Sequence, residues 1–346
     1  MRLRHIATLL ALPPLLALAS AVLLAGCGPR AAPGSPDDLA GLTLRVGAPN
    51  RIGNRPYLEA SGELARAPYR VQWVDFSATP TLLEALRNDD IDLGGNGGST
   101  GIIFESANVG TGAIRIVAAG RAEGATAGGA AVIVRAGAPL HRLADLRGQR
   151  VSVMQGTGSQ YIMERDLGRL GIGPQAVRWS QLANDVALAA LVAGHIDALV
   201  IWEPQASALL KRSDLRLLTW AGSNADSYAL QFASQKALDD PRRRAAIADF
   251  LQRLARAHVW ATTHQAAFAA AASKQAGVDP DVTRIIAAKT RTRYGLTPAQ
   301  QQAARQTLAN EVAFWRQRGI IRADVPLDKV FDFRFEPLLV QATAGR

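Results

Sequence analysis

From Leu42 to Trp220 the chain alternates short apolar strands with helical stretches, and few architectures accommodate that order. Thr43–Gly47, Tyr69–Phe76, Ile91–Leu93 and Ala113–Gly120 read as strands, with helices expected over 55–66, 81–87 and 99–108. A second series follows: strands at Ala130–Val134, Arg150–Met154, Ala176–Trp179, Ile196–Ile201 and Leu215–Trp220, with helices over 159–170, 185–193 and 204–212 between them. Such alternation builds an α/β fold of mostly parallel sheets flanked by helices. At 346 residues two domains are expected. After a candidate return strand at Leu230–Ala233 the remainder reads as helix, over 241–273, 281–289 and 298–317, with Leu308, Val312 and Trp315 on one face.

Two junctions carry the chemistry. Ile91-Asp92-Leu93-Gly94-Gly95-Asn96-Gly97-Gly98-Ser99-Thr100 reads as a strand end, a glycine loop and a helix start capped by Ser99 or Thr100. Val151-Ser152-Val153-Met154-Gln155-Gly156-Thr157-Gly158-Ser159 has the same form. Glycines let bare N–H groups approach a guest, and a helix start adds partial positive charge, so each junction suits an anion. Two of them suggest two lobes facing one small ligand.

The N-terminus is of another kind. Arg2 and Arg4 precede an apolar stretch from Ile6 to Leu24, which is interrupted by Pro13 and Pro14 and followed by Leu24-Ala25-Gly26-Cys27. This is the layout of a secretory signal peptide over residues 1–26. It resembles a bacterial lipobox, in which Cys27 becomes the lipidated first residue. Residues 27–41, rich in Pro, Ala and Gly at their start, read as a tether. Cys27 is the sole cysteine, so no internal disulfide forms. The formal charge of +10 is scattered, and its longest run, Arg242-Arg243-Arg244, follows Asp239 and Asp240 and reads as a solvated helix face. With 6% aromatics and no aromatic–basic interleaving, nucleic acid is not expected as a partner. The five histidines sit in separate segments, so neither a metal nor another cofactor is expected, and His195 near Asp197 reads as structural.

Taken in order, several segments resemble the alkanesulfonate/taurine-type substrate-binding proteins of ABC importers. They are Val71-Gln72-Trp73-Val74-Asp75-Phe76, Ser77-Ala78-Thr79-Pro80, Ile91-Asp92-Leu93-Gly94, Asp145-Leu146-Arg147-Gly148, Gly156-Thr157-Gly158-Ser159, and Ile196-Asp197-Ala198 with Trp202-Glu203-Pro204. The resemblance spans about Leu42 to Phe335. It implies a two-lobe periplasmic binding protein type II fold with two crossover hinge strands, here Ala130–Val134 and Leu230–Ala233. Lobe I would comprise 42–130 plus 232–346, and lobe II, inserted, 131–231. It further implies closure over an aliphatic sulfonate, delivery to a membrane permease with a separate ATPase subunit, and residence on the periplasmic side of a bacterial membrane as a lipid-anchored monomer. No Gly-x-x-x-x-Gly-Lys-Ser/Thr loop is present for ATP. Receptors for nitrate, bicarbonate or a thiamine pyrimidine are the alternatives, with a desulfinase-like enzyme on the same fold behind them. Where many sulfonate members carry Thr-Gly-Asp-x-Pro, this chain has Asn96-Gly97-Gly98-Ser99-Thr100, an amide in place of an acid.

A sulfonate spreads one charge over three oxygens, so neutral N–H and O–H donors can hold it. The candidate donors are Ser77, Thr79, Asn96, Gly97 and Ser99 from one lobe and Gly156, Thr157, Gly158 and Ser159 from the other. Arg51 is the nearest candidate cation, Trp202 a platform for the organic tail, and Tyr228 a hydroxyl near the return strand. Glu203 either turns away to tie the lobes together or receives a ligand ammonium. No catalytic residue is expected.

Overall fold

The structure, a computed structural model, describes residues 39–49, 53–76, 79–123, 129–222, 228–289 and 291–344. The signal peptide, Cys27, most of the tether, Arg51 and Ser77 lie outside the described residues.

The first series forms β1 (Thr43–Pro49), α1 (Arg55–Ser61), β2 (Arg70–Phe76), α2 (Thr79–Arg87), β3 (Leu93–Gly97), α3 (Ser99–Asn108) and β4 (Ile114–Glu123). The second forms β5 (Ala130–Arg135), β6 (Arg150–Ser152), α4 (Gly158–Arg169), β7 (Arg178–Ser180), α5 (Asn184–Val192), β8 (Ala198–Ile201), α6 (Gln205–Leu209) and β9 (Leu215–Ala221). Then come β10 (Tyr228–Ser234), α7 (Gln235–Asp239), α8 (Pro241–Thr263), α9 (Gln265–Ala276), α10 (Pro280–Lys289), β11 (Arg291–Arg293), α11 (Pro298–Gln317), α12 (Leu327–Val330) and α13 (Glu336–Thr343).

The strands sort into two sheets, a six-stranded one in the order β11-β4-β10-β3-β1-β2 and a five-stranded one in the order β7-β6-β8-β5-β9. Both are mixed. β1 pairs in parallel with β2 and β3, and β6 in parallel with β7 and β8, whereas β10 runs against β3 and β4, and β5 against β8 and β9. The ladders are therefore less uniformly parallel than the alternation implies: the edge strand β11 runs against β4, and each sheet admits a reversed strand near its middle, β10 in the larger and β5 in the smaller.

Those reversed strands are the ones expected to act as hinges. Each lies wholly in one sheet, β5 in the smaller and β10 in the larger, so neither Ala130–Val134 nor Leu230–Ala233 itself crosses. β4 ends at Glu123 in the larger sheet and β5 begins at Ala130 in the smaller, and β9 ends at Ala221 in the smaller and β10 begins at Tyr228 in the larger.

Helices cover both faces of each sheet. On the larger, Leu82, Leu83, Ile102, Ile103 and Trp315 bury one face, and Leu58, Phe250, Leu254 and Leu339 the other. On the smaller, Met163 and Leu167 of α4 oppose Ala187 and Leu191 of α5. The apolar spacing that predicted these helices is their packing face. Two long helical expectations are cut. The stretch 55–66 ends α1 at Gly62, whose φ of 70° is left-handed, and 241–273 divides at His264 into α8 and α9. The arginine run is solvated only in part: Arg242 is exposed, whereas Arg243 and Arg244 are half-buried. Asp240 caps α8 through the Arg242 and Arg243 amides, the Arg243 guanidinium reaches Asp92 Oδ1 at 3.1 Å, and Arg244 donates to the Leu238 carbonyl.

Candidate functional site

The glycine stretch after Leu93 is a strand rather than a loop. β3 runs through Gly97 because three side chains lie across its glycines. A Cβ on Gly94 would sit 2.7 Å from Leu82 Cδ2, one on Gly95 1.7 Å from Gln231 Oε1, and one on Gly97 2.8 Å from Phe232 Cε2. These glycines make room for neighbouring side chains of the protein itself, a use of glycine in strands that composition does not separate from ligand approach. Gln231 is fully buried. It exchanges hydrogen bonds with Asn54 (2.7 and 3.2 Å) and donates to Tyr294 Oη at 2.8 Å. Gly97 is buried beneath Phe232 and Thr79, and Thr79 is the first residue of α2 rather than a cap before it. For Asn96 only the backbone, within β3, is described.

The start of α3 also departs from expectation. Its N-cap is Gly98, and neither Ser99 nor Thr100 caps it. Both hydroxyls turn to Glu311 of α11. Ser99 Oγ donates to Oε2, Thr100 Oγ1 to Oε1 at 2.5 Å, and the Trp315 indole N–H to Oε1 at 3.1 Å. Glu311 is 1% exposed. Burial pushes its pKa up, against hydrogen bonds from Ser99, Thr100 and Trp315 and the charge of Arg165.

The second junction lies directly opposite. Thr157 caps α4, its hydroxyl accepting the Gln160 amide and donating to the Met154 carbonyl at 2.7 Å. Gly156, at φ 68°, donates its N–H to Gln160 Oε1 at 2.8 Å. Ser159 is buried, 8% exposed. A Cβ on Gly158 would stand 3.5 Å from Thr100 Oγ1, and one on Gly156 3.0 Å from Phe104 Cε2. The starts of α3 and α4 thus meet across the space between the sheets. Around them Tyr161 packs edge-on against Phe314 at 5.1 Å, and Arg318 pairs with the buried Glu164 at 3.0 Å.

The other candidates are more scattered. Trp202, half-buried, follows β8. The Glu203 carboxylate accepts from Ser207 N at 3.0 Å and Ser207 Oγ at 2.7 Å, holding the first turn of α6. Tyr228 opens β10 opposite Arg121 and packs beside the cluster that contains Tyr161. Sequence reasoning missed Glu311, Gln160, Glu164 and Arg318. Only the apolar face of α11 was visible, and nothing local marks a buried glutamate on it. Among the described residues no cluster of His, Cys, Asp or Glu could hold a metal ion, and no helix is long and apolar enough to cross a membrane.

A family model described as "ABC transporter, phosphonate, periplasmic substrate-binding protein" matches residues 63–282. The chain belongs to that family. This binding protein is also 31% identical over 149 residues to the putative aliphatic sulfonates-binding protein of Escherichia coli K12, a match covering 43% of the chain and 45% of that relative, so under half of the relative's length is spanned. Its fold is that of solved periplasmic binding proteins. The aliphatic sulphonate binding protein SsuA from Escherichia coli superposes with a TM-score of 0.71 at 22% identity, covering 83% of this chain and 91% of the other. The alkanesulfonate-binding protein SsuA from Xanthomonas axonopodis pv. citri, bound to MOPS, gives 0.70 at 22%, covering 85% and 99%. The desulfurization enzyme DSZB shares the fold more distantly, at 0.62 and 16%, covering 86% and 99%.

Proposed function

We propose that this binding protein captures aliphatic sulfonates between its two domains and hands them to an ABC permease driven by a separate ATPase subunit. The reading rests on one observation above all. Two helix starts, that of α3 behind Ser99 and that of α4 behind Gly158, meet at one gap, with Gly158 and Thr100 in near contact. N–H groups at helix starts, joined here by the Ser159 hydroxyl, hold an oxyanion without a buried counter-cation, and a sulfonate stays ionised at physiological pH. The sulfonate-binding relative supports the same class of ligand. The residues we assign to the ligand are Gly158 and Ser159 directly. Thr157 and Gly156 shape the loop, and Arg51, Ser77, Asn96, Trp202 and Tyr228 remain the further candidates proposed from the sequence.

The protein acts by binding, without chemical conversion. Cys27, the sole thiol, serves as the lipid attachment point after signal cleavage, holding a monomeric receptor at the periplasmic face of the membrane. A thermal-shift and calorimetric screen tests the ligand class. Short alkanesulfonates and taurine are expected to stabilise the protein and bind stoichiometrically. Stabilisation by nitrate or by a hydroxymethylpyrimidine, with none by sulfonates, would replace this reading. Mass spectrometry of the membrane-extracted protein should find a diacylglyceryl-modified Cys27 at the mature N-terminus.

A further inference from the structure

We propose that Glu311 sets the charge of the guest: standing behind the α3 start, it admits a monoanionic sulfonate and excludes the isosteric dianionic phosphonate. This inference rests on the sulfonate reading above and names the discrimination made at that same site.

Glu311 belongs to α11, outside the strand–helix series that builds the gap. Yet its carboxyl group is fixed at the gap by Ser99, Thr100 and the Trp315 indole. Thr100 Oγ1 lies 3.5 Å from where a Cβ on Gly158 would be, so a single hydroxyl separates this carboxyl from the opposite loop. Two consequences follow. Ser99 and Thr100 spend their hydroxyl hydrogens inward, so neither offers one to the ligand. Any charge bound at the α4 start also stands close to a carboxyl group in a region of low dielectric, where the repulsion scales with the ligand's charge.

Arg165 of α4 is the cation that bears on Glu311, and it is itself paired with Asp166 at 3.0 Å, so its compensation is partial. The Glu164–Arg318 pair, a further pair on the same side, balances itself. Glu311 does not receive a P–OH hydrogen directly, because both of its oxygens are engaged and it is 1% exposed. It acts through charge, as a specificity-determining residue.

Calorimetry with ethanesulfonate and ethylphosphonate, well above the second ionisation of the phosphonate, tests this on the wild type and Glu311→Gln. Gln keeps the shape, an acceptor for Trp315 and a polar partner for Ser99. The wild type should prefer the sulfonate, and E311Q should narrow that preference by about tenfold or more through tighter phosphonate binding. An unchanged ratio in E311Q, or tighter phosphonate than sulfonate binding by the wild type, overturns the inference while leaving the sulfonate reading intact. Should neither ligand bind the wild type, the sulfonate reading itself falls, and this inference with it. Should E311Q fail to fold, a pH series on the wild type decides. The preference must shrink as the phosphonate becomes a monoanion, and a flat preference refutes the proposal.

Discussion

The two domains follow one plan. The larger sheet, without β11, reads β4-β10-β3-β1-β2, and the smaller reads β9-β5-β8-β6-β7, so β1 corresponds to β6, β2 to β7, β3 to β8, β4 to β9 and the reversed β10 to β5. A side-chain clamp repeats as well. Asp92 accepts the Arg45 amide and both ends of its guanidinium, and Asp197 does the same for Arg150, each pair 47 residues apart. The domains differ at the strand ends. The α3 start is held by a glutamate from far along the chain, Glu311, whereas the matching α6 start is held by Glu203 from its own turn. The scaffold is thus duplicated and the gap is not. The Gly156–Ser159 loop follows β6, so its counterpart lies after β1, and the two glycine stretches are not equivalent positions.

The largest expected effect probes the contact between the unlike junctions. Gly158→Asp would place a carboxylate beside Thr100 and hence near Glu311, blocking both anion capture and closure. Affinity for a sulfonate should fall by roughly 1,000-fold or more, about 4 kcal/mol, with cooperative unfolding retained. Undiminished affinity in calorimetry would mean that the two helix starts do not share a ligand.

The repeated clamps should not be equally costly to break. Asp92 is fully buried and also takes Arg243, whereas the Asp197 side chain is 17% exposed, with Arg135 at 3.9 Å as its second cation. Removing Asp92 takes the nearest acceptor from the Arg45 amide and from both guanidinium groups and leaves Asp89, at 3.6 Å from Arg45 and 3.5 Å from Arg243, to serve both cations, so Asp92→Ala should lose about 3 kcal/mol in denaturant titrations. Asp197→Ala should lose distinctly less. Equal losses would show that burial does not distinguish the two domains.

The matching strands β3 and β8 give a smaller contrast of opposite kind. Gly95 and Val200 each lie three residues after the clamp aspartate. Gly95→Ala overpacks the site by driving Gln231 from Asn54 and Tyr294, at about 2–4 kcal/mol, whereas Val200→Ala opens a modest cavity at about 1–2 kcal/mol. A crystal structure of G95A should show the Gln231 amide displaced.

Much of this plan was legible beforehand. Strand–helix alternation marks parallel units, and the apolar spacing in α2, α8 and α11 survives as their packing faces. The Arg-Val and Ile-Asp pairs at matching spacing were present in the sequence, but two dipeptides are too little to announce a repeat. The fate of the glycines was hidden, because whether Gly95 faces a ligand or Gln231 depends on a strand that arrives 136 residues later. Glu311 was hidden for the same reason. Burial of a carboxyl group is decided by its tertiary neighbours, and its helix pattern reads as an ordinary polar position.

The smallest effect separates the sheets by pH. The larger sheet continues past β4 into β11, whereas β9, the counterpart of β4, is an edge. Glu336, fully buried, ties that extension down by accepting the Ala119 amide of β4 at 3.3 Å and the Leu296 amide beyond β11 at 2.6 Å. Burial raises its pKa from 4.5 to about 7, against hydrogen bonds from the Leu296, Ala119 and Gly295 backbone. The folded state therefore binds the proton more tightly than the unfolded chain. The resulting stabilisation is complete below pH 4.5, is lost as pH rises through 7, and is then constant, on the order of 3 kcal/mol in all. Glu336→Gln should flatten the stability profile between those pH values. Hydrogen exchange should localise the wild-type effect to β4 and β11 and leave β9 unchanged, whereas a pH response spread over both sheets would assign it to a group other than Glu336.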